Sequence, residues 1–66
     1  MNYQKLKGKL REKSKTYLMC SQLLGISIAT FSDKMNGKSR FYIDELDRLG
    51  DYLDMTNEER ENIFLH

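Results

Sequence analysis

Proline and tryptophan are absent from this chain of 66 residues, cysteine and histidine occur once each, and there are only four glycines. Without proline, no helix has to be kinked by a residue lacking its N–H. The few glycines stand out as the places where a helix can stop. A lone Cys20 cannot form an internal disulfide, which excludes a fold stapled by disulfides. Apolar runs are short, and none approaches the ~18 residues that a membrane span needs. The opening residues, MNYQKLKGKLREK, are charged and contain no apolar stretch, so a secretory signal is not expected. Catalytic equipment is equally sparse. No phosphate-cradling glycine loop, paired metal-binding histidines or Ser/His/Asp set occurs, so neither an enzyme nor a cofactor, metal or small-molecule substrate is expected. Cys20 reads as a small core residue. His66, alone at the chain's end, is not expected to bind metal or move protons.

Charge is present in quantity but hidden by the net value of +1. Residues 1–40 carry nine Lys/Arg against Glu12 and Asp33, a balance of +7; residues 41–66 carry Arg48 and Arg60 against eight acids, a balance of −6. Sorting of this kind points to a basic surface offered to an anionic partner, or to solvated helix faces whose charges happen to segregate.

Helical periodicity runs through the chain. Tyr3, Leu6 and Leu10 recur at i, i+3 and i+7 with lysines on the other side. Gly8 weakens that helix by about 1 kcal/mol relative to Ala, and marks a place where another backbone could come close. Thr16 reads as the N-cap of a second helix from Tyr17 to Leu24, stopped by Gly25. Ser27 caps a third helix that reaches Met35 and ends at Asn36-Gly37. Lys38-Ser39-Arg40 is a basic loop. A fourth helix follows Tyr42 on Ile43, Leu46, Leu49/Gly50 and Leu53, with Asp44, Glu45 and Asp47 near its N-terminus, where the dipole favours acids. Those acids and Asp51 read as a solvated face rather than a metal cluster. Thr56 to Glu59 is a capping-box pattern, and a short fifth helix carries Ile63, Phe64 and Leu65. The pattern predicts an all-α, compact five-helix bundle forming one domain over residues 1–66. Its expected core is Leu6, Leu10, Cys20, Leu24, Ile26, Phe31, Met35, Ile43, Leu46 and Leu53.

The most informative stretch is Thr16 to Gly37, TYLMCSQLLGISIATFSDKMNG. Two short helices meet at Leu24-Gly25-Ile26-Ser27, and Ser21 is small enough to let them cross closely, as a helix-turn-helix requires. With its flanks, Leu6-Lys7-Gly8 and Lys34-Met35-Asn36-Gly37-Lys38, the segment resembles the phage Cro and repressor class of helix-turn-helix domains, the small Cro-like proteins in particular. The resemblance covers residues 5–55 and implies a lambda-repressor-like domain with the motif at about 16–36. It further implies that Ser27, Ile28, Ala29, Thr30 and Asp33 face double-stranded operator DNA, and that Tyr17, Asn36, Lys38, Ser39 and Arg40 touch its phosphates. A regulator of a genetic switch in the cytoplasm of a bacterial host would follow. One such domain covers one half-site, so a homodimer is expected, with Ile63, Phe64 and Leu65 either as dimer contacts or as closure of the core.

Three departures from the family open a second reading. Tyr17 stands where the family often has Gln. Ile28 and Ala29 offer bases only apolar contact, and Asp33 brings a carboxylate toward phosphates unless it accepts from a cytosine amino group or pairs with Lys34 or Arg40. Leu18, Met19 and Leu23 are apolar where the family is usually polar. Together with Ile28 and Asp33, they would suit an antirepressor that binds a cognate repressor protein on the same fold.

Overall fold

The computed structural model describes residues 1–65; His66 lies outside the described residues, and with it the expectation that it is chemically inert. Five helices form: α1 (Tyr3–Glu12), α2 (Tyr17–Leu24), α3 (Ile28–Met35), α4 (Ile43–Tyr52) and α5 (Asn57–Phe64). Their starts are fixed by side chains that satisfy otherwise unpaired backbone donors. Thr16 accepts from the Met19 N–H at 3.1 Å and Ser27 from the Thr30 N–H at 3.1 Å. Thr56 and Glu59 cap one another reciprocally, at 3.1 and 2.9 Å. Asn2 caps α1 in the same way, a role missed in the sequence because Met-Asn-Tyr offers no preceding loop to mark it.

Four helices end in a common device. A residue just past the helix takes a left-handed conformation, and the next N–H returns to a carbonyl five residues back, as in Lys15 to Leu10 and Ile26 to Ser21. At the ends of α2 and α3 the left-handed residues are Gly25 and Gly37. At the ends of α1 and α4 they are Ser14 (φ 57°) and Asp54 (φ 53°), which adopt it at a cost glycine would not incur.

One buried cluster joins all five helices: Leu6, Leu10, Cys20, Leu24, Phe31, Met35, Leu49, Leu53, Met55 and Ile63. α2 packs on α3 and α4, and α1 lies against α5, where the Asn2 N–H also reaches the Ile63 carbonyl at 2.7 Å. Phe31 is the hub, with Tyr17 and Phe41 edge-on to its ring at centroid distances of 5.4 and 5.9 Å. Burial pushes the Cys20 thiol up to about 11, so it sits in the core as an unreactive thiol.

Several expected placements change. Ile43, expected in the core, is 79% exposed: it begins α4 and overhangs the neighbouring α5, with Leu46 only half-buried behind it. Ile26 packs against the core without being enclosed. Leu49, Met55 and Ile63 complete the core instead, so Ile63 is closure rather than a free contact. No backbone approaches Gly8; a Cβ there would meet only the Arg11 guanidinium, at 3.8 Å. Lys9, expected on the solvent face of α1, is buried against Glu59 of α5 and Glu12.

Candidate nucleic-acid interface

The geometry begins with how α3 is held. Phe31, Lys34 and Met35 are buried, which at 100° per residue points the arc of Ala29, Thr30 and Asp33 outward. Asp33 lies one turn beyond Ala29 and three residues beyond Thr30, at the centre of that arc. Ile28 lies on its flank, 49% exposed. Ser27, before α3, accepts from the Thr30 N–H and donates its own proton to the Thr30 hydroxyl at 2.9 Å, so both side chains are oriented by each other. α2 is packed against α3, and within α2 the small Ser21 is buried and donates to the Leu18 carbonyl at 2.7 Å.

The flank beyond α3 is basic. The Lys38 and Ser39 N–H groups both return to the Asp33 carbonyl, at 2.9 and 3.4 Å, which curls the loop back beside the helix end. Lys38, Ser39 and Arg40 are exposed there, and no carboxylate pairs with Lys38 or Arg40 among the described residues. Asn36 is exposed at the same end, accepting from Lys7 and donating to Ser32, each at 3.4 Å. Lys7 therefore joins this flank from α1, 29 residues away in sequence, beside Tyr3, whose ring would stand 3.4 Å from a Cβ on Gly37. Sequence reasoning missed Lys7. Its signal was the Tyr3/Leu6/Leu10 stripe, which puts position 7 at the edge of the buried face, but the partner across that edge was not legible.

Asp33 forms no ion pair among the described residues. Lys34 points inward to Glu45 instead, and Arg40 offers Lys34 only its backbone carbonyl. Glu45 is therefore buried rather than part of a solvated acidic face. Tyr17 is half-buried, its ring against Phe31. The second expected surface shrinks. Leu18 is exposed at 53%, but Met19 is half-buried and Leu23 packs on the core. No group of three His, Cys, Asp or Glu side chains capable of holding a metal occurs among the described residues.

Residues 5–59 match the model of the Cro/C1-type HTH DNA-binding domain. The chain belongs to that family. Comparison with curated proteins and with solved structures found no match. As a Cro/C1-type domain, the chain is a DNA-binding helix-turn-helix protein of the transcription-regulator kind. No helix among the described residues is long and apolar enough to cross a membrane.

Proposed function

We propose that this protein is a Cro-like regulator of a phage-type genetic switch that lays α3 in the major groove of an operator. The observation that carries the reading is the outward arc of Ala29, Thr30 and Asp33, flanked on one side by Lys7, Asn36, Lys38, Ser39 and Arg40. Ser27, Ile28, Ala29, Thr30 and Asp33 face base edges, Ile28 and Ala29 through apolar contact with thymine methyls and Asp33 through a cytosine amino group. Tyr17, Asn36, Lys38, Ser39, Arg40 and Lys7 donate to phosphates and fix register without reading sequence. A second copy occupies the other half-site, about one helical turn away. Its contact surface is the groove between α4 and α5, where Ile43 and Leu65 (75% exposed) flank the half-buried Leu46 and Phe64.

The test is binding to the DNA flanking the protein's own gene, measured across salt concentrations. Lys38→Ala with Arg40→Ala should weaken binding to all sequences alike and flatten the log–log salt slope by about 1.8, or about 0.9 per phosphate contact. Substitutions at Ile28 or Ala29 should change which sequence is preferred. Affinity that does not respond to salt would overturn the reading. The alternative, capture of a repressor protein, rests on exposed Leu18 and Ile28 beside Asp33. Leu23 packs on the core and Met19 is half-buried, which leaves that patch small and supports the DNA reading.

A further inference from the structure

We propose that Lys34 and Glu45 form an internal clamp that sets the path of loop 36–42, and that both are positioning residues for the phosphate-contacting side chains of Lys38 and Arg40. The inference rests on the DNA reading above. In sequence, Lys34 looks like one more cation at the end of the recognition helix. In the fold, its side chain is 6% exposed and that of Glu45 7%. The Lys34 ammonium donates to Glu45 Oε1 at 2.7 Å and to the Arg40 carbonyl at 2.9 Å. The same Glu45 oxygen accepts the Tyr42 N–H at 2.8 Å. The Tyr42 and Phe41 rings lie 4.4 and 5.9 Å from the ammonium, so aromatic faces cover what the hydrogen bonds leave.

The loop has no helix of its own, yet it is pinned at both ends. Its start is tied by the Lys38 and Ser39 N–H groups to the Asp33 carbonyl, and its end by the Arg40 carbonyl and the Tyr42 N–H to the buried pair. A loop ordered before DNA arrives does not have to lose that freedom on binding. The pair cannot be halved, because removing one partner strands the other charge in the interior. The two ends also differ in chemistry: backbone groups alone tie the first, whereas the second is held by this buried pair together with the Phe41 ring packed on Phe31 and the start of α4.

Lys34→Met/Glu45→Leu fills the site with apolar volume and removes both buried charges together, so the fold should persist in a thermal melt. DNA affinity should nevertheless fall about tenfold, and the log–log salt slope by about 1–2, one or two phosphate contacts. Adding Lys38→Ala/Arg40→Ala to that variant should cost little more, a non-additivity that a purely structural pair would not produce. Hydrogen exchange of the residue 38–42 amides should quicken, while that of α2 and α3 stays slow. Should the apolar variant fail to fold, Glu45→Asp decides: it keeps the charge but, one methylene shorter, cannot hold both Lys34 and the Tyr42 N–H. It should lower the slope and speed loop exchange. Parent-like slope and exchange in either folded variant, or losses that simply add, would overturn the clamp. If the parent itself shows no salt-dependent binding to duplex DNA, the DNA reading falls, and the clamp loses its role in positioning phosphate contacts.

Discussion

The two halves of the molecule use charge differently. Residues 41–66 send neither of their cations to a carboxylate of the other half. Arg60 pairs with Asp51 and the Met55 carbonyl, and Arg48 reaches only a backbone carbonyl, that of Leu23. Residues 1–40 send two lysines across to acids instead, Lys9 to Glu59 and Lys34 to Glu45. Those two pairs reduce the balances from +7 and −6 to +5 and −4. Segregated charge is thus partly internal: acids of the last two helices neutralise cations of the first and third. What remains for an outside partner includes Lys7, Lys38 and Arg40 near the end of α3, with Lys5, Arg11 and Lys15 also without a carboxylate partner among the described residues. A count of lysines overstates the DNA-facing charge, and burial decides by how much.

The comparison can be broken most severely through the core, which the basic half supplies with its hub. Phe31→Ala should destabilise by about 3–5 kcal/mol, enough to unfold so small a domain, as read by a urea or thermal melt. Ile43→Ala in the acidic half should change stability by less than about 0.5 kcal/mol in dilute protein, because that side chain is outside the core. Equal losses would mean that the two halves share the burden evenly.

Asp33→Asn sharpens the functional side of the comparison. On duplex DNA it should raise affinity several-fold, the size of a surface charge–charge contact of about 1 kcal/mol. On a repressor's basic surface it should weaken binding by about 2–5 kcal/mol if the pair is buried and far less at a rim. The opposite signs make one variant, titrated against both partners, a choice between the two readings.

The cross-half pair at Glu59 is tested by acid. The Lys9 ammonium, and then the Thr56 backbone, hold the Glu59 carboxyl down at about 2 from an ordinary 4.5. A depressed carboxyl stabilises the fold above its unfolded value, and that contribution is lost as pH falls from about 4.5 toward 2. Glu59→Gln keeps an acceptor for the Thr56 cap but should remove that stretch of acid dependence from the urea midpoint. The smallest effect belongs to Gly8, in mid-helix, where an added Cβ would meet only the Arg11 guanidinium at ordinary contact distance. Gly8→Ala should stabilise by about 0.5–1 kcal/mol in the same melt.

Helix positions were legible because their signals are local. Thr16, Ser27 and Thr56 cap within three residues, and Gly25 and Gly37 adopt the left-handed turn that other residues avoid. The stops at Ser14 and Asp54 were fainter, since neither residue advertises that conformation. Most of the core followed from helical periodicity. Ile43 did not, because a helix's first residue can satisfy the period and still overhang its neighbour. The sequence by itself thus determined five helices and most of their caps and stops, all set by contacts within one or two turns. Only the tertiary structure decided which lysines face solvent, that Lys7 joins the flank of α3, and that Lys34 turns inward to Glu45. Those depend on groups brought together from 11, 29 or 50 residues apart, where no local rule reaches.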